Sequence, residues 1–178
     1  MRNALTAVLL PLSLVLGGCS GQEPNDANIG QAVRERMGGA KPLCLLQYVN
    51  LEQRASSPVD EETVRQMADL TSLGLIEVEH DGELFMLHAT AKARPFVKDG
   101  QLCLAQYRYG KLKSLADKKV TASDLNTLVA HITPVIEPAP KVPPHWLDGL
   151  SSLKEVRGMT AEMVETKQGW KAVSESLY

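Results

Sequence analysis

Three cysteines, Cys19, Cys44 and Cys103, and four histidines, His80, His88, His131 and His145, are the side chains of this chain with the widest chemical reach. A cysteine can ligate a metal, attack a carbonyl, cross-link or carry a lipid, and a histidine can ligate a metal or move a proton. Metal centres need these types at set intervals such as Cys-x-x-Cys or His-x-x-x-His, and neither interval occurs here. Gly-x-Ser-x-Gly, a phosphate loop and a dinucleotide fingerprint are also missing, so no catalytic residue, metal ligand or cofactor is assigned and the chain is expected not to be an enzyme. Attachment and cross-linking remain for the cysteines, and both depend on the elements that place them.

The best specified stretch runs from Ser57 to Val97. Ser57 is placed as an N-cap, Pro58 at the first helical position, and Asp60, Glu61 and Glu62 in a first turn where negative charge suits the helix dipole. Val64, Met67, Ala68 and Thr71, with Leu70 and Leu73, recur at helical spacing and predict an inner face that leaves Arg65, Gln66 and Asp69 in water. Gly74 stops the helix at C′, with Leu75 laid against Leu70. Asp81-Gly82 predicts a two-residue hairpin turn that sets Val78 opposite Phe85 and Ile76 opposite Leu87, all on one face. Helix, Leu73-Gly74-Leu75, hairpin and the turn Thr90-Ala91-Lys92-Ala93-Arg94 together resemble the second half of a winged-helix domain, over residues 57–97.

At the amino terminus, Arg2 precedes an apolar run from Ala4 to Leu16 that is too short to span a bilayer and reads as a signal peptide. Leu16-Gly17-Gly18-Cys19 resembles the lipobox of bacterial lipoproteins. The resemblance implies that residues 1–18 are removed, that Cys19 is acylated on sulfur and on its amine, and that two or three acyl chains hold the protein to a membrane without spanning it. Ser20 stands where inner-membrane lipoproteins of enteric bacteria have Asp, which implies the periplasmic face of the outer membrane. With Cys19 assigned to lipid, Cys44 and Cys103 are an even pair in an oxidising compartment, and a disulfide between them is expected; the alternative is two buried thiols.

Residues 19–41, polar and rich in Gly, Asn and Pro, read as a flexible tether with at most a short helix near Ile29–Met37. Beyond it, Leu43-Cys44-Leu45-Leu46-Gln47-Tyr48 is echoed by Leu102-Cys103-Leu104-Ala105-Gln106-Tyr107, and Thr90–Val97 more faintly by Thr166–Val173. The echoes predict an α+β fold of small antiparallel sheets and short helices, in two tandem related halves, winged-helix-like or simply α+β, over residues 42–99 and 100–178. In the second half Asp99-Gly100 sets Val97 opposite Leu102 and Phe96 opposite Cys103, and a strand covers Gln101–Tyr109. Leu125–Ile136 fits a helix through Leu125, Leu128, Val129 and Ile132 or a strand through Leu128, Ala130 and Ile132, with Pro134 limiting either and an edge strand preferred. His145–Arg157 is expected as one short amphipathic helix with Trp146, Leu150 and Leu153 inward and Gly158 past its end.

The chain carries 19 basic and 21 acidic side chains, and loss of Arg2 with the signal takes the formal charge from −2 to −3. That balance excludes a nucleic-acid partner, and a lipidated exported domain is separated from the chromosome in any case. The charge is nevertheless segregated: Glu52–Glu83 sums to −7 and Lys92–Lys119 to +6. Arg108, Lys111, Lys113, Lys118 and Lys119 form a candidate basic face for an anionic envelope partner, against the plainer reading of a solvated surface. The function expected is a lipid-anchored periplasmic lipoprotein that binds an envelope protein or component. An immunity-type lipoprotein that neutralises a secreted toxin and an envelope hydrolase are the alternatives.

Overall fold

The computed structural model describes residues 23–56, 59–117 and 126–178. Helix α1 (Asp26–Met37) comes first, followed by β1 (Lys41–Leu45), β2 (Arg54–Ser56), α2 (Glu61–Ser72) and the hairpin β3 (Ile76–Asp81) and β4 (Leu84–Ala89). A 3-10 turn at Arg94–Phe96 leads into β5 (Val97–Lys98) and the long strand β6 (Gln101–Asp117). After β7 (Thr127–Pro138) come the short helices α3 (Pro144–Asp148) and α4 (Ser151–Lys154) and the hairpin β8 (Met159–Thr166) and β9 (Gly169–Leu177). The fold is α+β. Among the described residues the strands form two sheets, one in the order β1-β6-β7-β8-β9 with β5 also on β6, the other β2-β4-β3.

The large sheet draws β1 from ahead of the small sheet and β6 to β9 from behind it, so the sheets do not divide at residue 100. The Leu-Cys echo does fall on neighbouring strands, since β1 lies antiparallel on β6 with Leu43 opposite Ala105 and Leu45 opposite Leu102. The fainter echo does not correspond in structure: the Thr90 hydroxyl donates to the carbonyls of Gly74 and Leu75 at the exit of β4, whereas that of Thr166 donates to Gly169 inside the β8–β9 turn.

The stretch expected as a tether contains a packed helix. Asn25 caps α1 by accepting from the Asn28 N–H at 3.0 Å, Gly38 ends it at φ +64°, and Ile29, Ala32, Val33 and Met37 are buried at the spacing of one helical face. They pack on Tyr109, Ile132, Met159 and Met163 to make one of two cores. The close approach needs Gly30, where a Cβ would stand 2.9 Å from the Tyr109 ring. The Asp26 carboxylate accepts from the Tyr109 hydroxyl and the Leu112 N–H, each at 2.7 Å, which lowers its pKa and ties helix to sheet.

Helix α2 differs from expectation in its start and its inner face. Its cap is Asp60, which accepts from the Thr63 N–H and hydroxyl; Ser57 and Pro58 lie outside the described residues. The buried stripe is Thr63, Gln66 and Leu70, while Val64 is 52% exposed. The reason is polar. The Gln66 Oε1 accepts from the Leu46 N–H at 2.7 Å, and burying an amide costs little when it satisfies a buried donor. The end is as expected, with Gly74 at φ +61° donating to Thr71 and Leu75 donating to Leu70. In the hairpin that follows, the turn is Gly82-Glu83, so Val78 pairs with Leu87 and His80 with Phe85. The register is shifted by two residues, which preserves the face: Ile76, Phe85 and Leu87 remain buried, with Ala89 beside them. They join Leu70, Leu102, Leu104 and Leu150 in the other core.

Val97 pairs with Leu102 as expected, but Phe96 belongs to the 3-10 turn and packs edge-on to Trp146 at 5.8 Å. Strand β6 runs on to Asp117, with irregularities at Tyr109/Lys111 and Leu112/Ser114. Each bulge inserts a residue, so Tyr109, Leu112 and Leu115 all reach the core under α1 although they are three apart. The expected edge strand is β7, which is interior over Thr127–Ile132, between β6 and β8. Pro134 and Pro138 fall in the half that pairs with β6 alone, so β7 is an edge there and an N–H missing on the β8 side costs no bond. The expected helix over His145–Arg157 is two short helices, broken where Gly149 fits against Leu73 and Leu150 turns extended at 0% exposure. Asp69 accepts from both the N–H and the hydroxyl of Ser151, capping the second piece from α2.

At the first bulge a Cβ on Gly110 would collide with the Thr133 carbonyl oxygen, which is backbone and cannot turn aside. Gly110→Ala should therefore destabilise the protein by about 1–3 kcal/mol. Urea unfolding at constant slope measures it.

Candidate functional site

Cys44 and Cys103 are joined by a disulfide that links β1 to β6 across 59 residues of sequence, with the Cα atoms 3.9 Å apart. Beside it lies a cleft of about 310 Å³. One wall is β1, with Leu43, Cys44 and Leu45; the opposite wall comes from α2 and from the segment around α4. From α2 come Glu62 and Gln66. The Gln66 Nε2 donates to Glu62 at 3.0 Å while its Oε1 holds the Leu46 N–H, so the amide is fixed at both ends. From α4 comes Ser152, 6% exposed, whose hydroxyl oxygen is buried with no hydrogen-bond partner among the described residues. Glu155 follows, paired with Arg65 at 3.2 Å.

A second, more open cleft adjoins the first and shares Leu43, Cys44, Gln47 and Leu177 with it. Pro42, Tyr48 and Tyr107 line it on one side and Ser176 on the other. The two hollows follow the outer edge of β1, which pairs with no strand among the described residues, and the end of β9 borders them. Lys41 at the start of β1 reaches Glu175 of β9 at 4.0 Å. The C-terminal strand is pinned there, because the Tyr178 carbonyl accepts from the N–H groups of Arg157 and Gly158. Sequence reasoning located the disulfide but not this cleft, because it left Gln66 on the wet face of α2, whereas the Leu46 N–H holds it inside.

Of the candidate basic face, Arg108, Lys111 and Lys113 are exposed along β6, and Lys118 and Lys119 lie outside the described residues. Arg108 faces Glu137 at 3.6 Å. Cys19, with the whole signal segment, also lies outside them. No group of three or more His, Cys, Asp or Glu side chains among the described residues is placed to hold a metal ion, and no described helix is long and apolar enough to cross a membrane.

One histidine has a defined environment. His88 on β4 places Nδ1 2.7 Å from Glu52 and Nε2 3.0 Å from Glu79 across the small sheet. Glu52 sits at φ +60°, and its other oxygen accepts from the Ala89 N–H. The bond to Glu52, then that to Glu79, raises the His88 pKa above its ordinary 6.5, and the same His88 bond lowers that of Glu52 below 4.5. This arrangement is exposed, and it fastens the loop before β2 to the sheet. No family model matches the chain, and no curated protein or solved structure matches it.

Two outcomes follow for stability. The His88 contribution is full below pH 6.5 and lost as pH rises through the raised folded value, while that of Glu52 is present above 4.5 and lost as pH falls through the lowered one. His88→Gln should thus lower Tm more at pH 6 than at pH 9, read by thermal melts across that range. Loss of the disulfide in a Cys44→Ala, Cys103→Ala double variant should cost roughly 4 kcal/mol from the freed loop, read by denaturant unfolding without reductant.

Proposed function

We propose that the protein is a non-enzymatic binding module of the bacterial envelope, lipid-anchored at Cys19 on the periplasmic face of the outer membrane, which recognises another envelope protein. The observation that carries the binding reading is the cleft at the disulfide. It combines an open strand edge, a buried hydroxyl without a partner among the described residues and two carboxylates on fixed elements, which is the composition of a recognition site. The lipobox supports the anchor, and the Cys44–Cys103 bond agrees with an oxidising compartment.

The anchor is tested in cells that express the full chain with a C-terminal tag and are fed an alkyne fatty acid. The native chain should take up label and sediment with membranes, and Cys19→Ala should lose both; label retained by Cys19→Ala rejects the anchor. Binding is tested with the detergent-solubilised full chain as bait in envelope extracts. One protein should be retained by the native bait, and a Lys111→Glu, Lys113→Glu variant reports whether the exposed β6 cations take part.

A further inference from the structure

A binding module should show which chemistry it binds, and the cleft beside β1 gives three independent indications. The first is charge. Glu62 and Glu155 are the charged side chains that line the two adjoining hollows among the described residues, and both are acidic. Glu155 shares its charge with Arg65, whereas the partner of Glu62 is the neutral amide of Gln66.

The second is hydrogen-bonding capacity. The Ser152 hydroxyl is buried without a partner among the described residues, and Gln66 is turned so that its oxygen is already used by Leu46. The acceptors left to an occupant are carboxylate and hydroxyl oxygens. The Ser152 hydroxyl can also donate and Gln66 keeps a second N–H, so charge decides: an ammonium or guanidinium group, which has only donors, gains both carboxylates, whereas a carboxylate or phosphate is repelled by them. The third is the backbone. An extended segment laid along the outer edge of β1 would gain main-chain hydrogen bonds, and successive side chains would point to opposite faces. The hollows lie side by side along that edge, sharing Leu43 and Cys44, so a segment seated there can direct one side chain to the acidic cleft and a neighbour toward Tyr48 and Tyr107. The cross-link at Cys44 fixes the short strand before any partner arrives, which reduces the ordering that binding requires, and because Pro42 has no N–H the added ladder would run along Leu43–Leu45.

We propose that the edge of β1 docks an extended, basic segment of a partner protein, which adds to the sheet as a strand and places a lysine or arginine side chain between Glu62, Glu155 and the Ser152 hydroxyl. This rests on the binding-module reading and names the chemistry of its partner.

The probe is a blocked, dye-labelled hexapeptide of alternating lysine and valine, with an alternating glutamate and valine peptide as its counterpart. Both are titrated by fluorescence anisotropy into the detergent-solubilised full chain. The lysine peptide should bind at least about tenfold more tightly than the glutamate peptide, and Glu62→Gln with Glu155→Gln should remove most of that difference. Glu77→Gln with Glu83→Gln makes the same charge change on the small sheet and should leave it intact. Ser152→Ala should weaken the lysine peptide alone, and a thermal melt confirms that each variant is folded. Equal affinity for the two peptides, indifference to the cleft substitutions, or equal loss from the control pair overturns the proposal. A partner retained from extracts equally by native and Glu62→Gln, Glu155→Gln baits would overturn it while leaving the binding-module reading in place.

Discussion

One strand has to serve two cores. Strand β6 has 17 residues, roughly 55 Å of chain at a strand's rise, more than a single small core can cover. Its first part buries Leu102 and Leu104 against the helix and hairpin of the small sheet, and its later part buries Tyr109 beneath α1 with the half-buried Leu112 and Leu115 packed on the same core. A regular strand cannot keep residues 109, 112 and 115 on one side, and the two bulges resolve that conflict by adding a residue in each interval. Several other features answer to this demand. Gly110 lets the bulge close against Thr133, Gly30 lets α1 lie on Tyr109, and Asp26 holds the Leu112 N–H beside the bulged stretch. The disulfide meets the same strand at its other end, where β1 would otherwise hold to β6 by a five-residue ladder that includes a proline.

What could be read from residues alone was local chemistry. The glycine that stops α2, the two Asp-Gly hairpins as hairpins, the Cys44–Cys103 pair and the α+β class all depend on neighbours in sequence or on residue type, and the structure contains them. What could not be read depended on partners far away. Gln66 reads as a solvent-facing residue until Leu46 is placed against it 20 positions earlier, and α1 reads as part of a tether until the bulges of β6 supply its floor. The break in the segment after His145 comes from Asp69 of α2 and from Leu73 at its C-cap, over 75 residues upstream. Even the hairpin register was ambiguous locally, because a slip of two residues leaves the same side chains inside and only the choice of turn residues decides.

The candidate site follows the same division. Its covalent element, the cystine, was visible as a pair of residue types; its concave element, the cleft, exists because α2, α4 and the end of β9 converge on β1. Those parts are separated in sequence by up to 135 residues, from Leu43 to Tyr178, so no motif could have announced them. His88 illustrates the contrary case of residues that gather without forming a centre. Two carboxylates grip its ring at the surface, and the result is a pH-dependent fastening for a loop.

The cystine also makes a ring. Everything between Cys44 and Cys103, including α2 and the whole small sheet, is a closed loop of covalent bonds, with the amino-terminal helix leaving at one side and the rest of the large sheet at the other. A protease that cuts once between residues 45 and 102 would open that ring without releasing a fragment, and α1 would stay bonded to β6 through sulfur. A cut beyond residue 103 has no such safeguard, and only the packing of the sheet would keep the pieces together. Where a protease acts on the folded protein, the small sheet is thus the part of the molecule that can be nicked while the chain on both sides of the ring stays covalently joined.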